Sequence, residues 1–186
     1  MLNIPIASID ETGFDLIREV AVDRLPLLAA LSNDGEIRFS GSVKARIHAV
    51  LAGETVLISG TVSTRVSMRC SRCIEWFERD ITADFSATAL SDQTMAGDAD
   101  GDADIELTAE ETAAITYSGE TISLNTEVAQ QIIMELPFKP LCNDTCRGLC
   151  SRCGANLNQT RCQCDSRRQD NPFSILKTLS LPDKKE

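Results

Sequence analysis

Histidine, tryptophan and tyrosine each occur once in 186 residues, and aromatic side chains make up only 4% of the chain. The single histidine, His48, is followed by Ala49 and Val50, so the His-x-Glu element that a zinc deaminase places ahead of its CxxC pair is missing. On the polar face of a strand, that residue reads as an ordinary surface histidine. The scarcity of rings leaves few platforms on which nucleic-acid bases could stack. A Gly-rich phosphate loop and a Gly-x-Ser-x-Gly nucleophile elbow are also absent, and no enzyme is expected. No window approaches the roughly 18 uncharged apolar residues of a membrane span. Residues 1–15 contain Pro5 and Asp10, with no basic start followed by an apolar stretch, so a cytoplasmic location is expected.

Cysteine is what the chain has in excess, with eight residues. Six lie between Cys142 and Cys164 in the order C-x3-C-x3-C-x2-C-x8-C-x-C, and two stand far upstream as Cys70-Ser71-Arg72-Cys73. In a reducing compartment, cysteines in this pattern are ligands before they are disulfides. A CxxC turn sets two sulfurs at the separation needed for two corners of a tetrahedron, with metal–sulfur bonds of about 2.3 Å. Eight thiolates suit two sites of four. Zinc is the favoured ion, as one or two structural ions with two preferred, while iron and sulfide could use the same ligands. Chain geometry prefers a local ribbon of Cys150, Cys153, Cys162 and Cys164. Cys70, Cys73, Cys142 and Cys146 then form a second site joining a hairpin tip to a distant segment, but spacing alone does not settle the pairing. Four thiolates close the coordination shell and leave no position for water or substrate, so the expected role is structural. A thioredoxin-like CxxC would sit at a helix N-terminus, whereas Cys70 follows a strand.

Charge divides the chain. The total is −10, but residues 1–138 carry 9 basic and 23 acidic side chains, against 9 basic and 5 acidic from residue 139 onward. The cysteine-rich end is the basic end. Two closed sites of net charge about −2 each would offset part of that.

Period-two alternation predicts three antiparallel strands. Val43, Ala45, Ile47, Ala49 and Leu51 point one way, opposed to Lys44, Arg46 and His48. After a turn at Ala52-Gly53-Glu54, Val56, Ile58, Val62, Val66 and Met68 continue the pattern, followed by Phe77, Ile81, Phe85 and Ala87. The Cys70–Cys73 turn then falls at a hairpin tip, with Trp76 just beyond it. Asp92, Asp98, Asp100, Asp102, Asp104 and Glu106, interleaved with Ala and Gly, predict an acidic loop whose glycine spacing does not fit an EF-hand. Ser123 is expected to cap a helix to Glu135, with Leu124, Val128 and Ile132 as its apolar stripe and Pro137 ending it. A short strand and turn are expected in Tyr117–Ile122, and the first 35 residues read as a strand around Ile4–Ile9 plus mixed structure.

The expected fold class is α+β: an antiparallel sheet or partial barrel with one main helix and a C-terminal cysteine-rich, zinc-ribbon-like knuckle. The expected divisions are a β-rich core over residues 1–138, with the acidic loop near 92–106 and the helix at 123–135, and a metal-binding segment over 139–168. A tail follows over 169–186, with a short helix begun by Asn171 and Pro172 and lined by Phe173, Leu176 and Leu179.

Several of these motifs occur together: Met68-Arg69-Cys70-Ser71-Arg72-Cys73-Ile74-Glu75 after alternating strands, a helix ending in Glu135-Leu136-Pro137, and the terminal Asn171-Pro172-Phe173-Ser174-Ile175-Leu176. In that order they resemble the YceD family of large ribosomal RNA subunit accumulation proteins, and Leu141-Cys142-Asn143-Asp144-Thr145-Cys146 resembles its cysteine-bearing branch. The resemblance implies an assembly factor that supports synthesis, processing or accumulation of large-subunit ribosomal RNA, partnered by that RNA or by a basic ribosomal protein. Candidate phosphate contacts are Arg147, Arg152, Arg161, Arg167 and Arg168 beside the metal ribbon, with Lys44, Arg46 and Arg65 as a stripe on the sheet. The alternative is a zinc-stabilised protein-interaction module that holds a basic partner without touching RNA. Neither membrane nor small-molecule substrate is expected.

Overall fold

Strict alternation of small and branched apolar residues with polar ones produces three long strands, and their pairing frames the molecule. A computed structural model describes residues 1–92 and 114–164. Strands β4 (Ser42–Ala52), β5 (Thr55–Arg69) and β6 (Trp76–Ser91) form successive antiparallel hairpins, in register at Ile47, Gly60 and Phe85. Val43, Ile47, Val56, Ile58, Val62 and Val66 are at most 2% exposed. A fully buried side chain of this size stabilises the fold by roughly 1.5–3 kcal/mol.

The sheet is completed at its margins. Strand β2 (Phe14–Ala21) pairs antiparallel with β4, and β3 (Ile37–Phe39) continues the β4 lane against β5. Strand β7 (Ile115–Tyr117) runs parallel to β6, so the sheet is mixed and not wholly antiparallel. Among the described residues β2 and β7 do not pair with each other, which leaves an open sheet in place of a barrel. One face is covered by helix α1 (Pro26–Asn33), helix α2 (Asn125–Met134) and a ribbon of β1 (Asn3–Pro5) with β8 (Thr121–Ser123). Leu28, Val128, Ala129 and Ile132 join the same core as the inner residues of the sheet. Among the described residues no element covers the opposite face.

Helix α2 differs from expectation at its start. Ser123 is not the cap: it belongs to β8, where pairing with Asn3 keeps the backbone extended. Leu124 takes the cap position without a side-chain bond, and Asn125 ties the corner together. Its Oδ1 accepts the Leu2 N–H at 2.9 Å, and its Nδ2 donates to Ser123 Oγ at 2.9 Å. The amino-terminal strand is only Asn3–Pro5, followed by a 3-10 turn over Ile6–Ser8. The segment Tyr117–Ile122 resolves into the ends of β7 and β8 around Gly119. Most of the acidic loop expected near 92–106 and the expected terminal helix lie outside the described residues.

Candidate metal centre

The β5–β6 hairpin closes through a turn held by two backbone bonds. The Cys70 N–H donates to the Glu75 carbonyl at 2.9 Å, and the Ile74 N–H donates to the Cys70 carbonyl at 2.9 Å. The same pair of bonds recurs 80 residues later. The Cys150 N–H donates to Ala155 at 2.8 Å, and Gly154 N–H donates to Cys150 at 2.9 Å. In both turns the amide two residues after the first cysteine, Arg72 or Arg152, points at that cysteine's sulfur from 3.4 Å. The fifth residue of each turn must adopt positive φ: Gly154 does so at 71°, and Ile74 at 63°. For a branched side chain that conformation costs on the order of 1–2 kcal/mol.

Each turn acquires two further sulfurs. Cys142 lies 3.7 Å from Cys73 and Cys146 lies 3.7 Å from Cys70, measured between sulfurs. In the second group, Cys162 lies 3.6 Å from Cys153 and 3.3 Å from Cys150, with Cys164 alongside. Within each quartet all four sulfurs fall within 4.8 Å of one another. These are the groupings that spacing favoured. All eight cysteines are free, and their separations far exceed a disulfide bond of about 2.05 Å. A tetrahedron with metal–sulfur bonds of about 2.3 Å has edges of about 3.8 Å, so both donor sets fit a thiophilic ion.

Amide donors prepare the sulfurs for charge. Burial pushes the Cys70 thiol up, yet the backbone N–H groups of Cys142, Cys73 and Arg72 overcome it and hold the thiol down at about 6. Cys150 is likewise lowered to about 6 by the backbone N–H groups of Cys153 and Arg152. Burial and neighbouring thiols push Cys142 up to about 12, and hydrogen bonding with Cys162 and Cys153 does the same for Cys164. Cys70 and Cys146 in the first quartet, the latter lowered against its burial by the Asn158 amide and the Gly148 N–H, and Cys150 in the second are therefore ready to ionise before their neighbours, and a bound cation would displace the remaining protons.

The two quartets are physically joined. The chain after Cys153 folds back so that Leu157 N–H donates to Gly148 at 2.9 Å, and Leu149 bridges Asn156. Asn158 then reaches the first quartet, its Nδ2 donating to Cys146 Sγ at 3.2 Å while its Oδ1 accepts the Arg147 N–H at 2.8 Å. Gly148 sits at φ 73°, and a Cβ there would lie 2.9 Å from the Arg72 carbonyl oxygen. Arg72 itself donates to the Cys146 carbonyl at 2.8 Å, which fixes the hairpin tip to the later segment. Sequence reasoning missed Asn158, Gly148 and Arg72 as supports.

The structure divides the candidate phosphate contacts. Arg147, Arg152 and Arg161 are exposed around the quartets, and between residues 139 and 164 the only acid is Asp144. On the sheet, carboxylates stand near the cations. Arg65 forms a two-bond pair with Asp80 at 2.7 and 3.1 Å, Lys44 stands opposite Glu19, and Arg46 shares a row with Asp84. His48 pairs with Asp15 at 2.9 Å. Of these three, Arg65 is held in an ion pair, and Lys44 and Arg46 have a carboxylate in the same row. Arg167 and Arg168 lie outside the described residues.

A family model described as "Large ribosomal RNA subunit accumulation protein YceD" matches residues 58–180. A chloroplastic protein of maize, named a large ribosomal RNA subunit accumulation protein YCED homolog, is 28% identical over 131 residues, covering 59% of this chain and 44% of its own length. The Arabidopsis thaliana protein of the same name is 22% identical over 154 residues, covering 74% and 48%. An uncharacterized protein of Mycobacterium tuberculosis is 31% identical over 112 residues, covering 60% and 49%. The chain spans about half the length of the curated relatives it matches. No solved structure gives a significant match.

Proposed function

The chain belongs to the YceD family, whose name implies a role in accumulation of large-subunit ribosomal RNA, and from that premise we propose that it acts without catalysis, by binding that RNA. The observation that carries this reading is the contrast between its two basic regions. On the sheet Arg65 is held by Asp80, and Lys44 and Arg46 share rows with Glu19 and Asp84, while Arg147 and Arg161 are exposed beside the two cysteine quartets, in a segment, residues 139–164, whose one acid is Asp144. Guanidinium groups on a fixed scaffold suit phosphate contact that tolerates sequence.

In this reading each quartet holds one zinc ion, which supplies shape alone, because four sulfurs fill its coordination shell. Cys70, Cys73, Cys142 and Cys146 would clamp the later segment to the hairpin tip. Cys150, Cys153, Cys162 and Cys164 would set the arginine-bearing loops. Among the described residues no helix is long and apolar enough to cross a membrane, and the proposed place of action is the cytoplasm.

A second reading follows from the exposed acids of the sheet, Asp15, Glu19, Asp80 and Asp84, which would suit a basic ribosomal protein. A salt titration against large-subunit ribosomal RNA fragments separates the two. Replacing Arg147, Arg152 and Arg161 by Ala is expected to weaken the complex and flatten the dependence of log K on log salt by about 2. Absence of RNA binding by the intact protein, together with capture of purified basic ribosomal proteins, would replace the first reading by the second.

A further inference from the structure

The chain's one tryptophan lies next to the first quartet, and two arginines converge on it. Arg69 is Trp76's register partner at the end of the β5–β6 ladder, and Arg38 reaches across from β3, where it pairs with Ser67. Their guanidinium carbons lie 5.1 and 4.3 Å from the indole centroid. All three belong to the open face of the sheet. Both arginines are exposed, and the ring is half-buried.

Among the described residues, neither Arg38 nor Arg69 forms an ion pair. Glu78, the acid on the same face, stands opposite Ser67 two positions from Trp76 and pairs with neither of them. The other cations nearby are already occupied, Arg65 by Asp80 and Arg72 by the Cys146 carbonyl. Two like charges are therefore gathered on one aromatic surface, and among the described residues no carboxylate forms an ion pair with either, although Glu78 shares a row with Arg38. An exposed cation–π contact holds each of them only weakly, so an anion can draw a guanidinium off the ring and expose it.

We propose that Arg38, Trp76 and Arg69 form a single-stranded RNA subsite, in which a base stacks on the indole and the two guanidiniums take the flanking phosphates. Stacking on an aromatic ring beside phosphate-binding cations is how unpaired nucleotides are held without sequence preference. The turn from Cys70 to Glu75 fixes the spacing of Arg69 and Trp76, so the quartet beside them rigidifies the subsite. The proposal rests on the RNA-binding reading above and gives it a location, which the arginines of the later segment would extend.

Because Trp76 is the sole tryptophan, its emission reports on this site alone. The test uses the full chain in its metal-loaded form and single-stranded oligouridylate, fluorescein-labelled for anisotropy and unlabelled for quenching. Anisotropy and quenching are expected to saturate together. R38Q/R69Q, which keeps the stems and removes both charges, is expected to lower affinity about tenfold or more and to reduce the salt slope by about 1 to 2. Its melting temperature, compared with wild type, checks folding, and the wild-type emission needs no variant.

Binding by anisotropy that leaves Trp76 emission and the R38Q/R69Q affinity unchanged would overturn the subsite and leave the RNA reading intact. Absence of any RNA binding would overturn both. Quenching by polyglutamate as strong as that by oligouridylate would overturn the subsite in favour of an acidic protein partner.

Discussion

The two cysteine turns share their backbone bonds and differ in everything around them. The first lies among buried sulfurs, with Cys70, Cys73 and Cys146 no more than 3% exposed, and its bonds to Cys142 and Cys146 join positions 69 and 76 residues apart. The second is half-exposed and local, with Cys153 and Cys162 only nine residues apart. Closing a long loop constrains the unfolded chain more than closing a short one, and burial removes competing water from the sulfurs. The same turn can therefore serve as a clamp in one place and as a local brace in another, according to what it joins.

The largest effects should test that division. Cys73→Ser is expected to lose one ion by native mass spectrometry and to lower unfolding stability on the order of 5 kcal/mol, whereas Cys153→Ser should lose the other ion with little change in melting of the sheet. Equal losses from the two variants would abolish the distinction. Gly148→Ala should come next, because it forces a Cβ into the positive-φ region and against the Arg72 carbonyl. A cost of about 2 kcal/mol is expected in denaturant titration, concentrated in the joint between the hairpin tip and the later segment.

Asn158→Ala probes the link between the quartets. Removing its bond to Cys146 is expected to weaken ion retention in the first quartet about tenfold, measured by competition with a chelator, while Cys150, Cys153, Cys162 and Cys164 hold theirs. The smallest effect runs the other way. Ile74→Gly gives the first turn the residue that the second already uses, and should stabilise the protein by about 1 kcal/mol after allowance for glycine's greater freedom in the unfolded chain. A fall in stability would show that the exposed Ile74 side chain makes a contact that outweighs its backbone strain.

The long strands were legible because Val43 to Ala49 alternate without interruption and Val56 to Met68 do so apart from Leu57, Gly60 and Thr64, and one buried face allows only one register. Helix α2 was legible from Val128, Ala129 and Ile132. Strand β2 was not, since Asp15, Ile17, Arg18 and Glu19 at the sheet margin are exposed and blur its alternation. Helix α1 escaped because it is eight residues long and starts without a side-chain cap. Of the candidate sites, the quartets were visible in cysteine spacing, whereas Asn158 and the convergence of Arg38 and Arg69 on Trp76 depend on neighbours distant in sequence.

By itself, the order of residues determined which segments could be strands, where sulfurs would be dense and which end would be basic, because periodicity, ligand chemistry and charge are local properties. Only the folded chain decided which cations meet a carboxylate. Strand pairing set Asp80 beside Arg65 and Glu19 opposite Lys44, while leaving Arg38 and Arg69 together on one ring, and an electrostatic partner is chosen by distance in space.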